Sequence, residues 1–174
     1  MNAVLEAIKA RRSVRAFRPE PVPEELLTQV LEAGTYAATG MNWQSPTILA
    51  VTNREVRDEL MRLNAEVIGN PGSDPFYGAP VVLTVLADPS RPTYIYDGSL
   101  VMGNLMLAAH ALGLGSCWIH RAKETFECPE GKAILARYGL PENLVGIGNC
   151  ALGYPAAPPR PVAPRKPDYI KYIR

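Results

Sequence analysis

Residues 100–119 read LVMGNLMLAAHALGLGSCWI, and this stretch indicates how the fold is built. Residues 100–112 are apolar around nearly the whole helical circumference, which is typical of a helix buried on most sides. Asp97 or Ser99 can cap its start. Glycines then stop the helix, and SCWI at 116–119 predicts a strand. In so short a chain, such an apolar helix also predicts a dimer interface.

Two apolar runs before this stretch predict further strands. TILAVT at 47–52 and PVVLTVLA at 80–87 are rich in β-branched residues and show no alternation of polar and apolar residues. This pattern is typical of strands covered on both faces, so we expect both runs to be central strands of a mixed sheet. LVGIGNCALG at 144–153 predicts a fourth strand.

Helices are predicted between and before these strands. Apolar residues recur at helical spacing, acidic residues or Asn stand at the starts, and Gly stands at several of the ends. The predicted helices span residues 3–12, 22–34, 53–69 and 130–139. Because helices and strands are interleaved, the pattern leaves both α+β and α/β open.

Two segments contain too much Gly or Pro for regular structure. NPGSDPFYG at 70–78 predicts a flexible surface loop. Six of the 17 prolines lie in 155–167, so residues 155–174 are expected to form an extended C-terminal arm. We therefore expect a single domain over residues 1–174 that ends in this arm.

The composition excludes several classes of protein. The 18 basic residues are almost balanced by 17 acidic ones, which argues against binding to nucleic acid. No apolar run approaches the roughly 20 residues that cross a bilayer, and no secretory signal pattern is present. The three cysteines show no CxxC spacing. We expect a soluble cytoplasmic protein with no metal site, no nucleic-acid partner and no membrane partner.

The basic stretch AIKARRSVRAF at 7–17 is the strongest candidate binding motif. Arg11, Ser13 and Arg15 alternate on an extended piece beyond a predicted helix end, so their side chains project to one side. Two guanidinium groups and a hydroxyl suit a phosphate. A solvated basic turn is the alternative, and the motif alone does not choose between them.

Other chemistries find less support in the sequence. GLGSC and GIGNCALG lack the strand, turn and helix order of a dinucleotide fingerprint, so their glycines are explained as a helix end and a strand bulge. A GxSxG elbow is absent, and nothing in the sequence pairs Cys117 or Cys150 with His120. His110 is interpreted as a core residue.

Four segments, in order, resemble the landmarks of the FMN-dependent nitroreductase family. They are VLEAIKARRSVRAF at 4–17, AATGMNWQSP at 37–46, NLMLAAHALGLGSCWI at 104–119 and LGYPAAPPRPVAPRKP at 152–167. The resemblance implies an α+β fold, a nitroreductase-like mixed sheet flanked by helices. It also implies a homodimer with two FMN sites built at its interface.

The resemblance assigns the basic motif to FMN. Arg11 and Ser13 are implied to hold the phosphate, and Arg12 occupies a position that often touches it. Arg15 is implied to lie by the pyrimidine side of the flavin, where it is our candidate for stabilising charge at N1 and O2. Arg165 of the C-terminal arm is implied to reach the same phosphate.

The ring system is implied to have two further sets of contacts. Asn42 and Gln44 match the family's amide side chains that reach the flavin, commonly from the partner subunit. Backbone N–H groups of Ile119, His120 and Arg121 are implied to face the N5 and O4 edge. His120 replaces a commoner acidic or small residue.

The function implied is that of an FMN-dependent NAD(P)H oxidoreductase. NADH or NADPH is the expected donor, a nitroaromatic, quinone or similar small molecule is the expected acceptor, and ping-pong kinetics are expected. A flavin-cleaving or reductive dehalogenating relative on the same fold is one alternative. A flavin-binding module with little turnover is another.

Overall fold

A computed structural model describes residues 2–174 and contains six α-helices, one short 3-10 helix at Gly40–Asn42 and four strands within that range. The helices are α1 Ala3–Ala10, α2 Glu24–Thr35, α3 Arg54–Val67, α4 Tyr94–Ala111, α5 Ala122–Glu127 and α6 Pro129–Arg137; the strands are β1 Thr47–Val51, β2 Val81–Ala87, β3 Gly115–Ile119 and β4 Val145–Gly153. The α+β class and every predicted helix and strand are confirmed. Helix α5 is an addition.

The four strands form one sheet in the order β1-β2-β4-β3, and every pair is antiparallel. These four strands are therefore not mixed in direction, as was expected, because every pair is antiparallel. The expectation that β1 is a central strand is also wrong, because β1 lies at an edge of the sheet. All seven residues of β2 are buried, since helices cover both faces of this strand. The lack of alternation between polar and apolar residues in β2 thus indicates that both of its faces are covered, and it does not indicate whether its neighbours are parallel or antiparallel.

The core has two layers, one on each face of the sheet. Val82 and Leu86 of β2 pack with α3, α5 and α6, around the fully buried Phe126. Val81, Leu83 and Val85 pack against α2 and α4 on the opposite face. The register between β2 and β4 shifts between Val85 and Leu86, where the glycine-rich strand was expected to bulge.

Helix α4 begins six residues before the predicted start at Leu100, and Thr93 is its N-cap residue. The capping role expected of Asp97 or Ser99 is wrong, because both lie inside the helix. The buried Asp97 carboxylate instead accepts hydrogen bonds from the Gly40 N–H at 3.0 Å and the Thr93 hydroxyl at 2.9 Å. It thus ties α4 to the loop that follows α2.

The segment after α1 is extended and runs along the β3 edge of the sheet. Ser13 forms a parallel bridge with Ser116, and the Val14 N–H donates to the Ser116 carbonyl at 2.9 Å. Farther on, the Arg18 N–H donates to the Tyr154 carbonyl at 2.9 Å. The basic motif is therefore held by backbone hydrogen bonds at both of its ends.

Residues 70–78 are not simply a surface loop, because Phe76 within them is fully buried. Its ring packs into the layer formed by α3, α5 and α6, which holds the segment in place. Residues 156–174 are exposed and contain no helix or strand, as expected of an extended arm. Across residues 2–174, no helix combines the length and apolar character that a membrane span requires.

Candidate functional site

A cavity of about 510 Å³ lies where β3 ends, between the extended basic segment and residues 70–77. Four of the residues named from the sequence line it: Arg15, Ile119, His120 and Arg121. Asn64 of α3 and Tyr77 complete the part of the wall that matters for its chemistry. The structure therefore brings two separate sequence motifs to one cavity.

The basic motif carries donors that the protein itself does not satisfy. Arg11 is the C-cap residue of α1, and its Nη1 atom is buried without a hydrogen-bond partner. Arg12 Nη1 donates to the Lys9 carbonyl at 2.7 Å, whereas Nη2 is buried and unpartnered. Because leaving a buried charged donor unpaired is costly, these two atoms point to a bound anion.

Arg11, Ser13 and Arg15 all affect the pKa of the Cys117 thiol, which lines the cavity. Burial raises the pKa of Cys117, while Arg15, the Ser13 hydrogen bond and Arg11 oppose that rise. A thiol with a raised pKa stays protonated at neutral pH and is a poor nucleophile. Cys117 is therefore a packing residue, and the cations around it remain available to a ligand.

Residues 119–121 form the turn that leaves β3. Ile119 is buried, and the exposed His120 turns its backbone carbonyl to the Nδ2 amide of Asn64 at 3.0 Å. Arg121 has a φ of 76°, an uncommon conformation for a residue other than glycine and one found often at functional sites. Its Nη1 atom pairs with Glu124 at 2.7 Å.

Glu124 stays ionised beside this turn. Hydrogen bonding from its own backbone, followed by the hydrogen bond from Arg121, lowers the pKa of Glu124. The ion pair occupies the Arg121 side chain at the protein surface. What the turn offers to the cavity is consequently its backbone and not the Arg121 guanidinium.

Asn64 is one of the cavity residues that the sequence prediction missed, and Tyr77 is another. Asn64 is 1% exposed, its amide nitrogen holds the His120 carbonyl, and its Oδ1 atom is buried without a partner. An amide oxygen left unpaired at a cavity wall suits a ligand N–H donor. The available signal was an Asn on the apolar face of α3, one position after Leu63 and four after Leu60.

Asn42, Gln44 and Arg165 do not line this cavity. Asn42 and Gln44 belong to a tight loop after α2, both with positive φ, and the Gln44 amide donates to the Asn42 side-chain oxygen at 3.1 Å. Gln44 lines a different cavity beside α2 and β1. Arg165 lies on the exposed arm and donates to the Ala163 carbonyl at 3.0 Å.

An apolar surface is left uncovered on the helices near the basic motif. No residue of α1 is buried, and Val4, Leu5 and Ile8 are 60%, 53% and 55% exposed. Leu100 and Tyr96 of α4 are also more than half exposed. An apolar patch of this kind on a folded chain marks an interaction surface.

Known proteins share both the sequence and the fold. The sequence model of the Nitroreductase family matches residues 8–72 and 68–154. A nitroreductase from Bacteroides fragilis NCTC 9343, whose crystal structure contains bound FMN, is 34% identical with a TM-score of 0.92, over 100% of both chains. An FMN-bound nitroreductase from Desulfitobacterium hafniense DCB-2 is 27% identical with a TM-score of 0.88, also over 100% of both chains.

A flavin enzyme is similar to the chain in sequence as well. The NADPH-flavin oxidoreductase of Vibrio harveyi is 29% identical over 184 residues, which cover 98% of this chain and 72% of its own length. The cavity and the basic segment that leads to it fit the group found in the similar crystal structures. Arg11 and Arg12 do not line the cavity, but they lie just before Arg15 in the chain and carry unpaired guanidinium donors for a phosphate. Asn64 and the backbone turn at 119–121, which line the cavity, suit the polar edge of a ring.

Proposed function

Because the chain belongs to the nitroreductase family, we propose that it passes electrons from NADH or NADPH through FMN to a nitroaromatic, quinone or similar acceptor by a ping-pong mechanism. The coarser activity, that of an FMN-dependent NAD(P)H oxidoreductase, follows from this family and from the flavin proteins that the chain resembles. The observation that carries the proposal is the cavity at the end of β3, which Arg15 lines, together with the unpartnered donors of Arg11 and Arg12 on the segment just before Arg15.

The basic segment would hold the phosphate of FMN. Arg11 Nη1 and Arg12 Nη2 are buried donors with no internal partner, and a dianionic phosphate satisfies both. The Ser13 hydroxyl lies on the same extended segment. Arg165 would also contact the phosphate if the C-terminal arm packed across the site. The arm is free to do so because its residues are exposed on their own chain.

The turn after β3 would hold the flavin ring. Backbone N–H groups of residues 119–121 would face its N5 and O4 edge, and Arg15 would stabilise negative charge at N1 and O2. The chemistry that bound FMN supplies is acceptance of a hydride from a nicotinamide and delivery of electrons to the acceptor. The protein's share is to fix the ring and to supply these donors.

We propose that the active form is a homodimer. The apolar surface on α1 and α4 supports this, because burying it removes large apolar side chains from water. In a dimer, the Asn42 and Gln44 loop would reach the partner's flavin, a role that neither residue fulfils in the cavity of its own chain. We further propose one domain over residues 1–174 and a cytoplasmic location, in keeping with the free thiols of Cys117, Cys128 and Cys150.

Ping-pong kinetics follow if donor and acceptor use one cavity in turn. The cavity described above joins Arg15 of the basic segment to the β3 turn and so offers one place to both substrates. Initial rates measured at several fixed acceptor concentrations should therefore give parallel lines in a double-reciprocal plot. Intersecting lines would require both substrates to be bound together and would overturn the one-cavity proposal.

The first experiment is a visible spectrum of the purified protein, followed by separate additions of NADH and NADPH without oxygen. A flavin band that bleaches supports the reductase. A band that stays unchanged with both nucleotides would make the chain a flavin-binding module with little turnover. No flavin after incubation with FMN would contradict the cofactor assignment. Product analysis with a nitroaromatic then distinguishes nitro reduction from flavin cleavage or dehalogenation.

A further inference from the structure

Asp74 organises the turn formed by residues 74–79. One oxygen of its carboxylate accepts from the Phe76 N–H at 2.8 Å, and the other accepts from the Gly78 N–H at 2.8 Å. The Tyr77 N–H donates to the Asp74 backbone carbonyl at 3.1 Å. A single carboxylate therefore determines the path of the chain around Tyr77.

A nearly buried arginine of α3 holds that carboxylate. Arg57 is 8% exposed, and its Nη2 atom bonds the same Asp74 oxygen that accepts from Gly78. Its Nε donates to the Ala79 carbonyl at 3.2 Å, and Nη1 donates to Asp58 at 2.9 Å. The guanidinium also lies over the ring of the buried Phe76, 5.7 Å from its centroid. Arg57 thus braces both ends of the turn.

Tyr77 sits at the centre of this turn in a conformation that large residues rarely adopt. Its φ is 57°, in the left-handed region that is unfavourable for a residue with a Cβ. Tyr77 is 39% exposed, so no deep packing of its ring offsets the strain. It lines the same cavity as Arg15 and residues 119–121. Strain of this kind, kept by its surroundings, is typical of functional positions.

We propose that Tyr77 is a specificity-determining residue whose ring stacks on aromatic electron acceptors, and that Arg57 and Asp74 are positioning residues that hold it at the cavity wall. This inference rests on the proposed function, since it names the substrate class of the same cavity. An aromatic ring on a fixed turn offers a stacking surface at little entropic cost. Non-aromatic acceptors gain nothing from it.

The strain provides a way to separate the ring from the fold. Tyr77→Gly removes the ring and favours the observed φ, so the thermal midpoint should not fall. In this variant, the affinity of the oxidised holoenzyme for 4-nitrobenzoate should fall about threefold to tenfold. The perturbation of the flavin spectrum measures this affinity. Tyr77→Phe is the matched control, because it keeps the ring and the strain, and its affinity should stay near that of the wild type.

Kinetics give a second readout with the same variants. In Tyr77→Gly, the KM for a nitroaromatic should rise while that for ferricyanide stays unchanged, because only the first can stack. Equal changes for both acceptors, or unchanged 4-nitrobenzoate binding, would overturn the role of Tyr77. The proposed function would survive that result, since it fails only if the wild type binds no FMN or its flavin is not reduced.

A double-mutant cycle tests the positioning role of Arg57. Arg57→Met should weaken 4-nitrobenzoate binding in the presence of Tyr77 and have no further effect on binding in the Tyr77→Gly background. If the two losses add, Arg57 does not act through Tyr77. Asp74→Asn, which removes the charge and keeps the size, should behave as Arg57→Met does in the same cycle.

Discussion

Arg11 and Arg12 each keep a buried guanidinium nitrogen without an internal partner, while the backbone that follows is held by hydrogen bonds from Val14 to Ser116 and from Arg18 to Tyr154. A buried donor of this kind weakens the unliganded fold and strengthens the liganded one. The motif was predicted from sequence because its spacing reflects local geometry. The missing partners could not be predicted, since burial depends on residues distant in the chain.

Arg11→Ala should lose most of its affinity for FMN. A charge-assisted contact contributes about 1.5–3 kcal/mol, so the dissociation constant measured by flavin fluorescence should rise roughly tenfold to a hundredfold. Arg62→Ala is the matched control, because Arg62 pairs only with Glu66 on the surface of α3. The FMN-free Arg11→Ala protein should melt no lower than the wild type. Unchanged FMN affinity would reject the phosphate role.

Cys150 makes the stability of the fold depend on alkaline pH. Burial raises the pKa of its thiol to about 12 from an ordinary 9.0, so the folded state favours the protonated form. The contribution of the protonated thiol to the free energy of unfolding is complete below about pH 9 and is lost as the pH rises toward 12. The free energy of unfolding of Cys150→Ala should therefore fall less steeply over this range than that of the wild type. Parallel curves would contradict the assignment.

Helix α4 packs on β4 through a glycine. A Cβ added at Gly98 would lie 2.6 Å from Cγ1 of Ile147, which is too close for either group to keep its place. Gly98→Ala should therefore destabilise the protein by about 1–3 kcal/mol in urea unfolding, despite the better helix propensity of alanine.

Ile147→Ala provides the control for this contact. Removing the two γ carbons of Ile147 makes room for the new methyl group, so the double variant should be more stable than the sum of the single losses predicts. Additive losses would show that Gly98→Ala acts elsewhere in α4. The test is clean because Ile147 lies at the register shift between β2 and β4 and is only partly buried.

At the level of elements, the sequence predicted which helices and strands exist better than it predicted where they lie in the fold. Helix α2 and strand β2 were found because apolar periodicity and terminal residues are local signals. The edge position of β1 was not, because a strand's neighbours are chosen by the whole chain. Helix α5 was missed since its six residues AKETFE carry little apolar periodicity.

At the scale of the whole molecule, the apolar surface on α1 and α4 predicts self-association. Leu100→Glu, at a position 51% exposed, should convert a dimer into a monomer in light-scattering measurements, because a buried unpaired charge is strongly unfavourable at an apolar interface. The same variant should lose FMN if the partner completes the site. Lys132→Glu, an exposed change on α6, is the control and should leave the dimer intact.

A wild-type chain that is monomeric at micromolar concentration yet binds FMN fully would contradict the proposal of an interface-built site.

The candidate site shows the same division between local and long-range information. Arg15 and residues 119–121 were named from sequence and line one cavity, whereas Arg11, Arg12 and Ser13 are not among its lining residues. Asn64 and Tyr77 were not named, because their roles arise from α3 and the 74–79 turn folding back onto β3.

The pairing of segment 11–18 with Ser116 and Tyr154 has a consequence for biosynthesis. The ribosome makes this segment before it makes Ser116 and Tyr154, the residues that hold it. Until the final strand has left the exit tunnel, the nascent chain has no edge on which the arginines can be held in place. If this segment holds FMN as proposed, the flavin is captured only after Tyr154 has been made, and a product truncated before Tyr154 should not retain a flavin.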